Sequence, residues 1–128
     1  MRYMMMMKAD KDYEAGKPPS PELIAAVSKL TEGLVKSGVM VGGGGLAPSS
    51  KGAKLQLKDG EVTVIDGPFT ETKEVIGGYA IMNFNTKEEA IQSAKEFLKL
   101  HAEILGKSYQ CDCEVRQMYE DGECGQAD

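Results

Sequence analysis

"KLQLKDGEVTVID", residues 54–66, alternates apolar and polar side chains on both sides of Asp59-Gly60. Leu55 and Leu57 before that dipeptide, and Val62 and Val64 after it, recur at every second residue, the period of a strand with one apolar face. Asp-Gly supplies the two positive φ angles of a tight two-residue turn, so the stretch predicts a β-hairpin. What lies on either side of it decides the fold.

Upstream, residues 2–8 ("RYMMMMK") read as a strand, and "AGKPPSPEL" punctuates the chain. Ser20 is an N-cap with Pro21 at the first helical position, where a missing N–H costs nothing. Leu23, Val27, Leu30 and Leu34 then form one apolar stripe of an amphipathic helix that stops at Gly38. "VMVGGGGL" begins as a short apolar strand and dissolves into glycine. Downstream, "GGYAIMNF" is a further strand, and Thr86 with Glu89 forms a capping box. A second amphipathic helix carries Ala90, Ile91, Ala94, Phe97, Leu98, His101 and Leu105, and Gly106 closes it. "YQCDCEVRQMY", residues 109–119, alternates as a last strand.

Strand, helix, strand, hairpin, strand, helix, strand is the order of a ferredoxin-like βαββαβ α+β fold with an inserted β-hairpin. It predicts a single domain over residues 1–120 and a polar tail at 121–128. Both helices cover one face of the antiparallel sheet. The other face also needs a cover, and a second copy of the chain supplies it, so a homodimer joined sheet to sheet is expected.

At 128 residues, 41% hydrophobic and 27% charged, the chain has the composition of one globular domain. A formal net charge of −5 argues against nucleic acid or an anionic membrane as partner, since both reward positive charge. The strand order is shared with RNA-binding sheets, but "GGYAIMNF" carries no basic residue. The apolar run at the start is too short for a signal-peptide core or a membrane span, and a cytoplasmic location is expected. Cys111, Cys113 and Cys124 form no disulfide framework and have no ligand-spaced histidine, so they read as structural thiols; neither a metal nor a cofactor is expected.

The stretch "DGPFTETKEVIGGYAI", residues 66–81, concentrates polar side chains between a turn and a strand. Asp66-Gly67-Pro68 is turn chemistry, and the charged link after it reads first as a rigid solvated connection. The functional reading makes Asp66 a general base at a pocket rim, with Lys73, Glu74 and Tyr79 as binding groups. His101, on the apolar stripe of the second helix, reads as a half-buried packing residue, with acid–base catalysis as its second reading. The glycine run fails the phosphate-loop pattern, yet its bare backbone lets a ligand approach, with Ser49 and Ser50 as donors. Arg116 either pairs with Asp112 or Glu114 or binds an anionic ligand by its planar fork.

"SPELIAAVSKLTEGLVKSGVMVGGGGLAPSS", "VTVIDGPFTETKEVIGGYAIMNFNTKEEAIQSAK" and "EVRQM" together resemble the YCII-related (DGPF-domain) family over most of residues 2–118. The resemblance implies a dimeric α+β barrel related to muconolactone isomerase-like proteins. In the YCII branch proper a His–Asp pair has been proposed as catalytic; His101, the sole histidine here, does not stand at a matching position. Two functions are consistent with these readings. One is a cofactor-free small-molecule enzyme of isomerase-like acid–base chemistry, with a pocket near the DGPF segment. The other is a non-catalytic ligand-sensing or accessory protein with a regulatory partner, linked to sigma-factor regulation through the resemblance.

Overall fold

The computed structural model describes residues 1–69 and 74–120. In chain order it contains β1 (Arg2–Lys8), α1 (Lys11–Glu14), α2 (Pro21–Lys36), β2 (Met40–Gly45), a 3-10 turn at Ser49–Lys51, β3 (Ala53–Lys58), β4 (Glu61–Asp66), β5 (Ile76–Asn83), α3 (Lys87–Leu105) and β6 (Cys113–Gln117). Four strands form an antiparallel sheet in the order β2-β5-β1-β6, and β3 and β4 pair only with each other. This is the α+β, ferredoxin-like arrangement with its hairpin inserted between β2 and β5. Among the described residues no helix is long and apolar enough to cross a membrane.

Local chemistry sets the boundaries. The Ser20 hydroxyl accepts the Leu23 N–H at 3.2 Å, with Pro21 opening α2. Thr86 Oγ1 accepts the Glu89 N–H at 3.2 Å, and only this half of the expected capping box forms among the described residues. Asp59 (φ 53°) and Gly60 (φ 79°) both take positive φ, which sets the tight turn between β3 and β4. Leu55 then faces Val64, and Leu57 faces Val62, on one side of the hairpin.

Three elements depart from the sequence reading. The helical turn α1 was not anticipated; Asp10 caps it by accepting the Tyr13 N–H at 2.7 Å. The glycine run stays in the sheet, pairing through Gly45 opposite Gly78 after a bulge between Met40 and Gly42. The last strand is shorter than expected, because residues 109–112 first follow the end of α3 and place the Tyr109 ring against that of His101.

Strand alternation separates the two faces of the sheet. Tyr3, Met5, Ala80 and Met82 are buried on the helix side, where Ala90 and Ala94 of α3 meet them. Leu34, Phe97 and Val115 pack around this cluster. Met4, Met6, Tyr79 and Ile81 occupy the opposite face.

Candidate functional site

The sheet under α2 explains the principal cavity. The apolar stripe of α2 runs above the region where β2 pairs with β5, and that region is built from Gly43, Gly44, Gly45, Gly77 and Gly78. Strands without side chains cannot fill the layer beneath a helix. The result is a cavity of about 990 Å³, far beyond an ordinary packing void and at the upper end of small-molecule pockets. Leu23, Val27, Leu30 and Leu34 form its roof, and Met5, Ala80 and Met82 extend its floor.

One end of the cavity is polar, with Asp10, Tyr13, His101, Ser108 and Tyr109 on its wall. The Tyr13 hydroxyl donates to the Leu46 carbonyl, holding α1 against the end of the glycine strand. His101 is buried, at 7% exposure. Its Nδ1 lies 2.9 Å from the Phe97 carbonyl oxygen. A carbonyl only accepts, so Nδ1 carries a proton and donates; in the neutral ring the lone pair then lies on Nε2. The Phe97 ring lies 4.6 Å away and tilted, and the Tyr109 ring 6.0 Å away and nearly parallel. The imidazole is therefore held by its Nδ1–H and has two aromatic rings for neighbours.

Burial holds the proton on the Tyr109 phenol well above the usual tyrosine range, and the neighbouring Cys111 thiol and Asp10 carboxylate push in the same direction. Burial also raises the Cys111 thiol, with the Tyr109 hydroxyl opposing it. The Cys113 thiol is pushed up to about 11, chiefly by burial. The Cys111 and Cys113 thiols stay protonated at neutral pH; Cys124, read with them as a structural thiol, lies outside the described residues, as does the 121–128 tail.

The residues singled out in the sequence do not gather at one place. His101 and Tyr79 border the cavity, although alternation sends the Tyr79 ring to the other face of the sheet. Asp66 ends β4 as an exposed residue whose carboxylate has no hydrogen-bond partner among the described residues. Glu74 is exposed, and Lys73 lies outside the described residues. Arg116 is exposed on the outer face opposite Met4 and makes no ion pair among the described residues. Ser49 is buried and committed within the fold. Its N–H donates to Glu14 Oε1 at 2.7 Å, its hydroxyl donates to Glu14 Oε2, and the same hydroxyl accepts the Phe69 N–H at 2.9 Å. The Gly67 N–H donates to the Gly52 carbonyl at 3.0 Å. A Cβ on Gly67 would sit 1.7 Å from the Ser49 carbonyl oxygen.

The DGPF turn is thus seated on the Ser49 loop, and Glu14 ties that loop to α1. The same short turn contributes its N-cap, Asp10, and Tyr13, the neighbour of Glu14, to the cavity. Sequence reading missed Asp10, Tyr13 and Tyr109. The one signal that could have found them is the pairing of an amphipathic stripe with a run of bare glycine, which leaves a hollow beneath the helix.

A family profile describing the YCII-related domain matches residues 1–99. The chain belongs to the YCII-related domain family. An uncharacterized protein of Rhizobium meliloti (strain 1021) is 37% identical over 51 residues, a match spanning 40% of this chain and 41% of that protein. Among solved structures, this YCII-related domain is similar to 5-chloro-2-hydroxyhydroquinone dehydrochlorinase from Burkholderia phenoliruptrix AC1100, determined in complex with 2,5-dihydroxybenzoquinone. That likeness has a TM-score of 0.51 at 16% identity and covers 96% of this chain and 97% of the other, so it speaks for the shared fold.

Proposed function

We propose that this YCII-related domain works as a homodimeric small-molecule enzyme that moves a proton on a planar, oxygenated ring held in the cavity under α2. The observation that carries the reading is His101. Its Nδ1–H is committed to the Phe97 carbonyl, so a buried imidazole lines the cavity with Nε2 as an acceptor. A positioned imidazole of this kind suits general-base chemistry near neutral pH. Tyr109, whose phenol keeps its proton, would donate a hydrogen bond to the oxyanion formed when His101 removes a proton from the ring. Return of that proton from Nε2 to another ring position completes an isomerisation with no net redox change.

The glycine floor supports a flat ligand, because backbone without side chains lets a ring lie close against it. The structural neighbour's bound dihydroxybenzoquinone is a ligand of this shape. Asp66 and the DGPF turn act as the frame that holds α1, through Ser49 and Glu14, at the polar end of the cavity.

The test uses 2,5-dihydroxybenzoquinone and a panel of hydroxylated phenols in D₂O. Calorimetry reads binding, and nuclear magnetic resonance reads exchange of ring protons for deuterium. The expected result is binding by the wild type, with exchange that His101→Gln slows at least tenfold and Gly45→Val blocks by filling the floor. Binding without exchange would reduce the protein to a ligand sensor. Absence of binding across the panel would overturn the reading.

A further inference from the structure

We infer that the β3–β4 hairpin is a dimer clasp, whose apolar face lies on the outer sheet face of a second copy of this chain. The inference rests on the homodimer proposed above and assigns the element that completes it. All residues of β3 and β4 are exposed, so the hairpin buries neither face against its own subunit. An isolated two-stranded hairpin is at best marginally stable in water. This one nevertheless concentrates Leu55, Leu57, Val62 and Val64 on a single side, at 64%, 75%, 62% and 60% exposure. Its other side carries Lys54, Gln56, Lys58, Glu61 and Thr63, which suit solvent, with Ile65 at 39% exposure the one large apolar residue among them. One face is written for water and the other for a partner.

Area identifies the partner. A fully exposed aliphatic side chain presents on the order of 100 Å², so these four offer roughly 260 Å² of apolar surface. Val41, Tyr79 and the half-buried Met4, Met6 and Ile81 on the outer sheet face add roughly 120–200 Å² on the same scale. A standard interface buries about 800 Å² per partner, and in homodimers roughly 65% of it is apolar, or about 520 Å². Neither surface reaches that figure alone; together they approach it. A two-fold axis that lays each hairpin across the other subunit's sheet buries both surfaces twice, as an isologous contact requires.

Light scattering during size-exclusion chromatography reads the mass of the wild type and two double variants. Leu57→Lys with Val62→Lys places charge on the apolar side; Gln56→Lys with Thr63→Lys places equal charge on the solvent side. Circular dichroism checks that each variant keeps the wild-type helix and strand content, and a shortened hairpin lacking residues 55–64 replaces the first variant should it not fold. The expected result is a dimeric wild type, a dimeric solvent-side variant, and at least a hundredfold weaker dimer for the apolar-side variant. A wild type that is monomeric at micromolar concentration overturns both the dimer and the clasp. A dimeric wild type whose apolar-side or shortened variant stays equally dimeric overturns the clasp alone.

Discussion

Ser49→Ala tests whether the DGPF turn is seated as the structure shows. The substitution removes one hydroxyl from a buried position where it donates to the Glu14 carboxylate and accepts the Phe69 N–H. A hydrogen bond to a charged group contributes about 1.5–3 kcal/mol, and a buried donor left without a partner costs about 1–3 kcal/mol. Glu14 and Phe69 are only half-buried, so water offsets part of both losses. A net destabilisation of about 2–4 kcal/mol is expected. With an unfolding entropy of roughly 2.1 cal/mol/K per residue, a chain of this length loses about 4 °C in Tm per kcal/mol, giving a fall of about 8–16 °C. Thermal unfolding followed by circular dichroism at fixed protein concentration reads the change. Ser50→Ala is the control: Ser50 is exposed, and a loss within about 0.5 kcal/mol is expected. Combining Ser49→Ala with Glu14→Ala should cost less than the sum of the two, since they break one network. A Tm for Ser49→Ala within 2 °C of the Ser50→Ala value, on the order of the control's own shift, would refute the buried chain from Glu14 through Ser49 to Phe69.

Two further outcomes follow from the same geometry. Gly67→Ala should lower Tm at least as much as Ser49→Ala, because its Cβ would meet backbone rather than a side chain that can rotate away; an unchanged melting curve would contradict the packing of that turn. Stability should also fall in alkali. Cys113 titrates at about 11 when folded against 9.0 ordinarily, and burial shifts the Tyr109 phenol in the same direction. The unfolded chain therefore releases these protons first, so the stabilisation is whole below pH 9.0 and is lost as pH rises through about 11. Tm measured across that range should decline, and less steeply in Cys113→Ala; a flat profile would argue against burial of these groups.

Much of the fold was legible because it rests on local rules. Ser20-Pro21 and Thr86 announce helix starts through hydrogen bonds spanning three residues, and Asp59-Gly60 fixes the hairpin register within its own turn. The candidate site was less legible. The sequence marked Asp66, Lys73, Glu74 and Tyr79 because polar residues crowd there, yet Asp66 and Glu74 are exposed and away from the cavity. Ser49 looked like a ligand donor because it follows glycines; the fold spends its hydrogen bonds on Glu14 and Phe69. His101 looked like packing because it lies on an apolar stripe, and it does pack, but against a cavity wall.

By itself the sequence determined the six strands and two long helices, their order, the turn chemistry and the one-sided hairpin, all set by contacts between residues close in the chain. Only the tertiary structure decided that bare glycine strands lie beneath the α2 stripe, leaving a hollow there. It also decided that Asp10, Tyr13, His101 and Tyr109 meet at the end of that hollow, although up to 99 positions separate them in the sequence. The physical reason is that periodicity states which side of an element is apolar, whereas a cavity depends on what the facing element fails to supply.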